Sequence, residues 1–308
     1  PSEQGLLDLR PWLAEGRLPL PGSRSPDRRA RVGGHGPPLL LLHGNPLSQR
    51  SWDRMLPRLL ERFSVVTSDL RGYGESSKPP GEADHRNYSF RQMGTDQFEL
   101  MSHLGFERFA LAGHDRGARV AYRMAMDHAE RISRVAFLDI LPTHYVFNHI
   151  TADMAIDLYH WWFMAQPKPF PETLLSPHPA YYIRDKLMKQ GPGKGGFTEE
   201  EIERYISYCT PEHIHAVCED YRAAATIDLA MDRADFDAGR KISMPAMILW
   251  GALSHTALRH QPEKVWPLYC SDIQKMEALP CGHYPAEQAS EQTLTAFEAF
   301  FGSVARRS

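Results

Sequence analysis

The sequence of 308 residues predicts an α/β fold, in which a mostly parallel, doubly wound sheet carries an inserted helical cap. Uninterrupted apolar runs, of which Pro38–Leu42 is the clearest, are typical of strands buried on both faces. Up to residue 142 such runs alternate with helical patterns at the interval of βαβ units, which indicates a parallel sheet. Between residues 143 and 237 the alternation stops, and helical patterns rich in aromatic residues follow one another. The alternation then resumes, so the helical segment is interpreted as an insertion.

The elements of the core are predicted in chain order from composition and periodicity. Apolar runs predict strands at 38–44, 63–69, 109–112, 135–140, 244–251 and 274–279. Apolar residues at helical spacing predict helices at 51–60, 89–104, 118–128, 262–268 and 289–301. Short strands at 17–20 and 29–32 are expected to form a hairpin, and the glycine-rich stretch 191–196 a loop. The predicted domains are a core of residues 1–142 and 238–308 and a cap of residues 143–237.

The composition excludes several classes of function. With 42% hydrophobic and 24% charged residues, the chain is expected to be globular rather than disordered. Its formal net charge of −3 provides no basic surplus for nucleic acid or an anionic membrane surface. No apolar run reaches the roughly eighteen residues that a membrane span needs. The four cysteines show no CxxC spacing, which suits reduced thiols and predicts a cytoplasmic location.

The stretch Gly113-His-Asp-Arg-Gly117 lies between a predicted strand and a predicted helix. Glycines two residues to either side of a central residue suit a sharp strand-to-helix turn, because a Cβ at those places would collide with neighbouring backbone. This is the pattern of a nucleophile elbow, with Asp115 where serine is usual. Asp115 is therefore the candidate nucleophile.

Polar residues also follow other predicted strands of the core. Asn45 follows the first of the buried strands, Asp139 the fourth, and His283 the last. Because sites in parallel sheets form at the carboxyl ends of strands, these residues are expected to meet Asp115. An acid followed downstream by a second acid and then a histidine is the chain order of a hydrolase triad.

These residues and four motifs give the chain a resemblance to a known family. The motifs are Gly113-His-Asp-Arg-Gly-Ala-Arg119, Leu138-Asp-Ile-Leu-Pro142, Tyr159-His-Trp161 and Cys218-Glu-Asp-Tyr-Arg222. The chain resembles α/β-hydrolases with an aspartate nucleophile, a group of haloalkane dehalogenases, epoxide hydrolases and fluoroacetate dehalogenases. The four motifs resemble the fluoroacetate dehalogenases in particular. The resemblance implies an α/β-hydrolase fold and a homodimer.

The chemistry of an aspartate nucleophile also follows from the residues themselves. A carbon that bears a halide must be attacked by an oxygen that is already anionic at neutral pH, and a carboxylate is one. Attack by Asp115 gives an ester, and His283 is the candidate base that activates water to hydrolyse it. Residues 250–256, where many enzymes of this fold carry the orienting acid, contain no Asp or Glu. Asp139 is therefore the candidate orienting acid, as the resemblance also implies.

Two arginines suggest the substrate. Arg116 and Arg119 are three residues apart at the start of a helix, so both side chains are expected to lie beside Asp115. A bidentate arginine pair beside the nucleophile would anchor a carboxylate. The haloalkane dehalogenases that the chain resembles have a tryptophan in place of Arg116, so the arginine favours a haloacid.

The resemblance also implies a halide site in the cap. By motif, His160, Trp161 and Tyr221 would donate hydrogen bonds to the leaving halide. The backbone amides of Asn45 and Arg116 would form an oxyanion hole. Asn45 itself resembles the halide-contacting asparagine of haloalkane dehalogenases, which leaves the preference for fluoride over larger halides open.

The predicted function is hydrolysis of a short 2-haloacid to the hydroxyacid and halide, with fluoroacetate as the leading substrate. No cofactor and no metal are expected; His213 and His215, two apart on a predicted helix, would diverge. The alternatives are an epoxide hydrolase, which pairs the same triad with two cap tyrosines, and a haloalkane dehalogenase. A small-molecule receptor on the same fold is the alternative that is not an enzyme.

Overall fold

The structure, a computed structural model, describes residues 13–18, 28–189 and 196–302. Its strands are β1 (Leu13–Leu18), β2 (Arg28–Gly33), β3 (Pro38–Leu42), β4 (Ser64–Ser68), β5 (Phe109–His114), β6 (Ile132–Leu138), β7 (Ala246–Gly251) and β8 (Ile273–Leu279). They form one eight-stranded sheet in the order β1-β2-β4-β3-β5-β6-β7-β8. Strands β3 to β8 are all parallel to one another, which confirms the predicted doubly wound sheet.

The first two strands pair antiparallel as the predicted hairpin, and β2 continues antiparallel onto β4. The first strand occupies 13–18 rather than 17–20, and residues 19–27 lie outside the described part of the chain. Most of the predicted loop at 191–196 also lies outside it, since the description resumes at residue 196.

The central strands are apolar on both faces because each face supports a separate core. Leu40 and Leu42 of β3 pack into the core that includes Val120 and Met124. Leu39 and Leu41 point the other way, into the core that includes Phe297. Strand side chains alternate between faces, so an uninterrupted apolar run is what a sheet covered on both sides requires.

Helices cover both faces of this sheet. They are α1 (Leu56–Leu59), α2 (Phe90–His103), α3 (Arg116–Asp127), α4 (Thr143–Asn148), α5 (Ala152–Asp157), α6 (Tyr159–Met164), α7 (Phe170–Leu175), α8 (Pro179–Lys189), α9 (Glu199–Ser207), α10 (Pro211–Ala223), α11 (Leu229–Asp237), α12 (His255–Arg259), α13 (Pro262–Val265), α14 (Pro285–Gln288) and α15 (Ser290–Gly302). One π-helical turn, Ala224–Asp228, joins α10 to α11. Between β6 and β7 the described residues form helices, turns and loops and no strand, consistent with a helical cap; the domain limits at 142/143 and 237/238 stay a prediction.

One predicted helix of the core is wrong. Residues 51–60 form no continuous helix, but a 3-10 turn at Gln49–Trp52 and the short helix α1. Pro57 explains the interruption, because proline lacks the N–H of the helical ladder and its ring clashes with the carbonyl four residues earlier. Helix α12 was not predicted from the sequence.

The elbow, residues 113–117, has the close packing that its two glycines predict. A Cβ on Gly113 would lie 2.4 Å from the carbonyl oxygen of Gly117. A Cβ on Gly117 would lie 2.4 Å from the carbonyl oxygens of Leu42 and His43. The start of α3 therefore rests directly on the end of β3, and the close approach of backbone explains why glycine is needed.

We expect Gly117→Ala to lower the free energy of unfolding by about 3 kcal/mol or more, because the new methyl group meets backbone that cannot move aside. Gly94→Ala is the matched control: it also adds a methyl group to a buried helical glycine, but the nearest atom, at 2.8 Å, belongs to the flexible side chain of Met124. That change should cost less than about 1 kcal/mol, since alanine is also the better helix former. Urea unfolding measures both, and equal losses would contradict the explanation.

Candidate active site

The four sequence-predicted polar positions lie at one edge of the sheet, where the parallel strands end. Asp115 follows β5 and precedes α3, with φ of 46° and ψ of −114°, a strained backbone for a residue with a side chain. Asn45 follows β3, Asp139 follows β6 with a φ of 49°, and His283 follows β8. Two residues with strained backbone, Asp115 and Asp139, thus lie at the same edge of the sheet, which indicates a functional site rather than a requirement of core packing.

His283 connects the two acids. Its Nδ1 lies 2.6 Å from Oδ2 of Asp139, and its Nε2 lies 3.9 Å from Oδ1 of Asp115. Because an ionised carboxylate only accepts, Nδ1–H donates to Asp139, and Nε2 is left as the basic nitrogen facing Asp115.

Asp139 is itself held in place by the segment after β7. Its Oδ1 accepts hydrogen bonds from the amide of Gly251 at 3.0 Å and from Oγ of Ser254 at 2.6 Å. Sequence reasoning examined this segment for an acid and missed Ser254, whose hydroxyl orients the acid from the neighbouring strand. In the sequence, the feature that pointed to such a role for Ser254 was the absence of an acid at 250–256.

Asp115, the candidate nucleophile, is ionised. Burial by itself raises the pKa of Asp115, but basic neighbours outweigh burial and hold the pKa well below the ordinary value of an aspartate. In order of decreasing effect these neighbours are His283, His114, Arg116 and Arg119. The backbone amide of Asn45 also donates to Oδ2 at 2.9 Å, which favours the charged form.

Arg116 lies beside Asp115 as predicted, but its guanidinium is already paired with a carboxylate of the protein. Its Nε donates to Oδ2 of Asp220 at 2.9 Å, and its Nη2 donates to Oδ1 and to the carbonyl of the same residue. Both side chains are fully buried, and a buried guanidinium needs such a counter-charge. Only Nη1 of Arg116 has no hydrogen-bond partner.

Asp220 is thus a site residue that sequence reasoning missed. It also accepts a hydrogen bond from the hydroxyl of Tyr73 at 2.6 Å. Burial lowers the pKa of Arg116, but Asp220 outweighs burial and raises it overall, so the guanidinium keeps its proton. In the sequence, the feature that pointed to Asp220 was its position in the motif Cys218–Arg222, next to Tyr221.

Arg119 provides the more available cation. It lines the same cavity as Asp115, and its guanidinium carbon lies 4.4 Å from the ring centre of Trp161. Nη1 donates to the carbonyl of Leu141 and to Oγ1 of Thr143, both at 3.0 Å, while Nε has no partner. Burial lowers the pKa of Arg119 to about 10, which still leaves it charged at neutral pH.

The three predicted halide donors form one aromatic cluster over the nucleophile. The ring of Tyr221 lies 5.8 Å from that of His160 and 6.2 Å from that of Trp161, edge to face. His160 and Trp161 line the cavity, and neither ring has a hydrogen bond to another described residue. The hydroxyl of Tyr221 accepts from Nδ2 of Asn45 at 3.3 Å, so its own hydrogen remains free to donate.

The cavity has a volume of about 730 Å³. Besides Asp115, Asp139 and His283, its lining includes aliphatic side chains such as Leu141 and Leu158, and Lys186 of α8, which the sequence did not single out. Because burial and the nearby charge of Lys186 lower the pKa of His160 well below its ordinary value, this histidine is neutral and offers one N–H.

His213 and His215 do not share a ligand. Nδ1 of His213 bonds to the carbonyl of Gly72 at 2.9 Å, whereas His215 lies with Glu172 and Glu219. Ligand atoms of these last three residues lie within 4.8 Å of one another, but the guanidinium of Arg222 donates to both carboxylates. The group is explained as an ion-pair cluster.

Comparison with known proteins agrees with this geometry. Residues 37–289 match the family described as the alpha/beta hydrolase fold. The chain is also 41% identical over 271 residues to a fluoroacetate dehalogenase of a Burkholderia species, which covers 87% of this chain and 88% of that protein. The chain belongs to the α/β-hydrolase family. The fold and the family predicted from the sequence are therefore confirmed.

Other relatives of this α/β-hydrolase include epoxide hydrolases. The chain is 30% identical over 272 residues to the soluble epoxide hydrolase of Corynebacterium sp. (strain C12), covering 87% of this chain and 91% of the relative. A solved structure from Nostoc sp. PCC 7120, assigned to the α/β-hydrolases, superposes with a TM-score of 0.88 at 41% identity over 94% of this chain and 98% of that one.

Within the described residues, no helix has the length and apolar character of a membrane span.

We expect Asp220→Asn to lower the free energy of unfolding by about 3 kcal/mol, because it leaves the charge of Arg116 buried without a counter-charge. Asp96→Asn is the matched control. Asp96 forms a similarly buried ion pair with Arg71, with 2.7 Å between the nitrogen and oxygen atoms, and this pair does not line the cavity. Both variants should be destabilised in thermal unfolding, but added acetate should restore stability only in Asp220→Asn. Equal behaviour in acetate would show that Arg116 does not act at the cavity.

Proposed function

We propose that this hydrolase acts on carbon–halide bonds and converts a short 2-haloacid, fluoroacetate first among them, to the hydroxyacid and halide. The observation that carries the proposal is the unpartnered N–H groups of two buried arginines, Nη1 of Arg116 and Nε of Arg119, beside the ionised Asp115. A buried N–H without a partner is costly, and a substrate carboxylate would satisfy it. The 41% identity to a fluoroacetate dehalogenase supports the same substrate.

In the first half-reaction, a carboxylate oxygen of Asp115 attacks the carbon that bears the halogen. The new carbon–oxygen bond forms as the carbon–halogen bond breaks, and the halide leaves with the bonding electron pair. The low pKa of Asp115 supports this role, because the nucleophile needs no deprotonation. His160, Trp161 and Tyr221 would donate hydrogen bonds to the halide as its charge develops.

In the second half-reaction, water attacks the carbonyl carbon of the Asp115 ester. Nε2 of His283 takes the proton of that water, and the imidazolium is stabilised by Asp139 across the 2.6 Å hydrogen bond. The amide of Asn45, which donates to Oδ2 of Asp115, would stabilise the oxyanion, together with the amide of Arg116. The tetrahedral intermediate then collapses: the bond to the hydroxyacid oxygen breaks, that oxygen leaves with one proton of the attacking water, and the other proton passes from His283 to solvent. This regenerates the carboxylate of Asp115 and neutral His283.

Hydrolysis of epoxides is the main alternative, because epoxide hydrolases are among the relatives. It would pair the same triad with two cap tyrosines, and of these the chain offers Tyr221. The other place is occupied by His160 and Trp161, which favours halide over an epoxide oxygen.

The homodimer and the cytoplasmic location stay predictions.

A substrate panel tests the function. Halide or diol release is measured from fluoroacetate, chloroacetate, 1-chlorobutane and styrene oxide, and only the two haloacids are expected to react. Asp115→Asn should reduce turnover by about 10⁴-fold or more, as loss of other enzymic nucleophiles does. The control is Asp157→Asn, which changes a partly exposed acid at the same cavity and should retain activity within about threefold. Turnover by Asp115→Asn without deamidation to aspartate would refute the scheme.

The arginine anchor is tested by comparing a charged with a neutral substrate. Arg119→Met should lower kcat/KM for chloroacetate by about 10- to 100-fold, the usual value of a hydrogen bond between charged groups. Its kcat/KM for chloroacetamide should change much less, because the amide carries no negative charge. If both substrates lose equally, Arg119 positions the cap rather than the carboxylate.

A further inference from the structure

Lys186 is a cation in the cavity that the proposed mechanism does not use. It belongs to α8, lines the cavity together with Asp115 and His160, and is only 8% exposed. In the part of the chain that the structure describes, its ammonium has no hydrogen bond and no ion pair. The side chain is mostly buried and lines the cavity, so an anion in the cavity would supply the partner that the protein does not.

Lys189, one turn later on the same helix, shows the ordinary alternative. It also lines the cavity, but its ammonium is 2.7 Å from the carboxylate of Asp185 and its side chain is 73% exposed. Lys186 keeps its charge differently: burial lowers its pKa to about 8, while Asp115 opposes the shift. At pH 7 the amine is therefore mostly charged, and Asp115 is the acid that stabilises it.

The charges around the nucleophile can be paired one by one. Arg116 is already neutralised by Asp220. Arg119 is the cation left for the substrate carboxylate. Lys186 then remains as the counter-charge of Asp115, and this pairing is broken when Asp115 becomes a neutral ester. The halide appears in the same step, and it would restore the balance that the ester removes.

The position of Lys186 within the cavity agrees with a halide partner. Among the charged groups around His160, Lys186 has the largest effect. His160 is one of the three candidate halide donors, and it lines the same cavity as Lys186 and Asp115. An ammonium is a compact, strongly hydrated charge that suits a small anion.

We propose that Lys186 is the counter-charge of the leaving halide: its ammonium balances Asp115 before attack and the released halide afterwards. The proposal rests on the proposed function for its chemistry, but anion binding tests it independently of turnover. It adds a residue from α8 to the three aromatic donors from α6 and α10.

The experiment measures binding of bromide and of acetate to the whole chain in four forms: wild type, Lys186→Met, Lys186→Arg and the control Lys189→Met. Saturable quenching of tryptophan fluorescence reports bromide, because Trp161 lines the cavity. Acetate binding is read as a rise in Tm. Haloacid turnover is measured in parallel on the same preparations.

Lys186→Met should weaken bromide binding about tenfold, the effect expected from losing a charged partner. Lys186→Arg, which keeps the charge, and Lys189→Met should stay within about threefold of wild type. Acetate affinity should be unchanged in all four forms, because the N–H groups of Arg116 and Arg119 carry that contact.

Unchanged bromide affinity in Lys186→Met would overturn the proposal. Loss of acetate rather than bromide affinity would also overturn it and assign Lys186 to the carboxylate. Wild type that binds bromide through Lys186 but turns over no haloacid would refute the proposed function and leave the anion site standing.

Discussion

The contact on which the site depends is the packing of the elbow against the end of β3. The amide of Gly117 donates to the carbonyl of His43 at 2.9 Å, an approach that leaves no room for a Cβ. This contact lets α3 begin directly above the sheet and holds Asp115 in its strained conformation at the carboxyl edge. The surrounding fold maintains that strain, which would relax in an isolated turn. The same contact brings Asn45, at the end of the neighbouring strand, within hydrogen-bond distance of the nucleophile.

The second constraint is that most charges of the site are buried and must be balanced. Arg116 is satisfied by Asp220 of the cap, so a cap helix and the core are connected through one ion pair without exposure to solvent. This pair places Tyr221, the next residue of α10, with its ring 4.3 Å from the Arg116 guanidinium. One interaction thereby neutralises a cation and positions a candidate halide donor. Breaking it leaves a buried charge, which is costlier than losing a surface pair.

The relatives include a fluoroacetate dehalogenase and epoxide hydrolases, and the candidate triad alone does not determine the reaction. Asp115, His283 and Asp139 would serve an epoxide as well as a haloacid. The shell around the candidate triad is more specific. It contains arginine N–H groups without partners among the described residues, and Trp161 and Tyr221 stack on the same two guanidinium groups. A haloacid supplies a carboxylate and a departing halide as acceptors for these donors, which matches the shell better than an uncharged epoxide does.

The sequence by itself predicted the alternating core, the elbow and the three residues of the candidate triad, because each follows from a local pattern or from chain order. It did not predict that Pro57 interrupts the helix at 51–60. The apolar residues there keep helical spacing across the proline, although proline lacks the backbone N–H that a continuous helix needs. The partners of the arginines were beyond sequence reasoning for a different reason. Asp220 lies 104 residues from Arg116, and only the packing of the cap on the core decides which guanidinium atoms are neutralised and which face the cavity. The tertiary structure likewise decides that Lys186 has no ion pair among the described residues. The sequence shows that a lysine can carry a charge, but not which groups surround its ammonium.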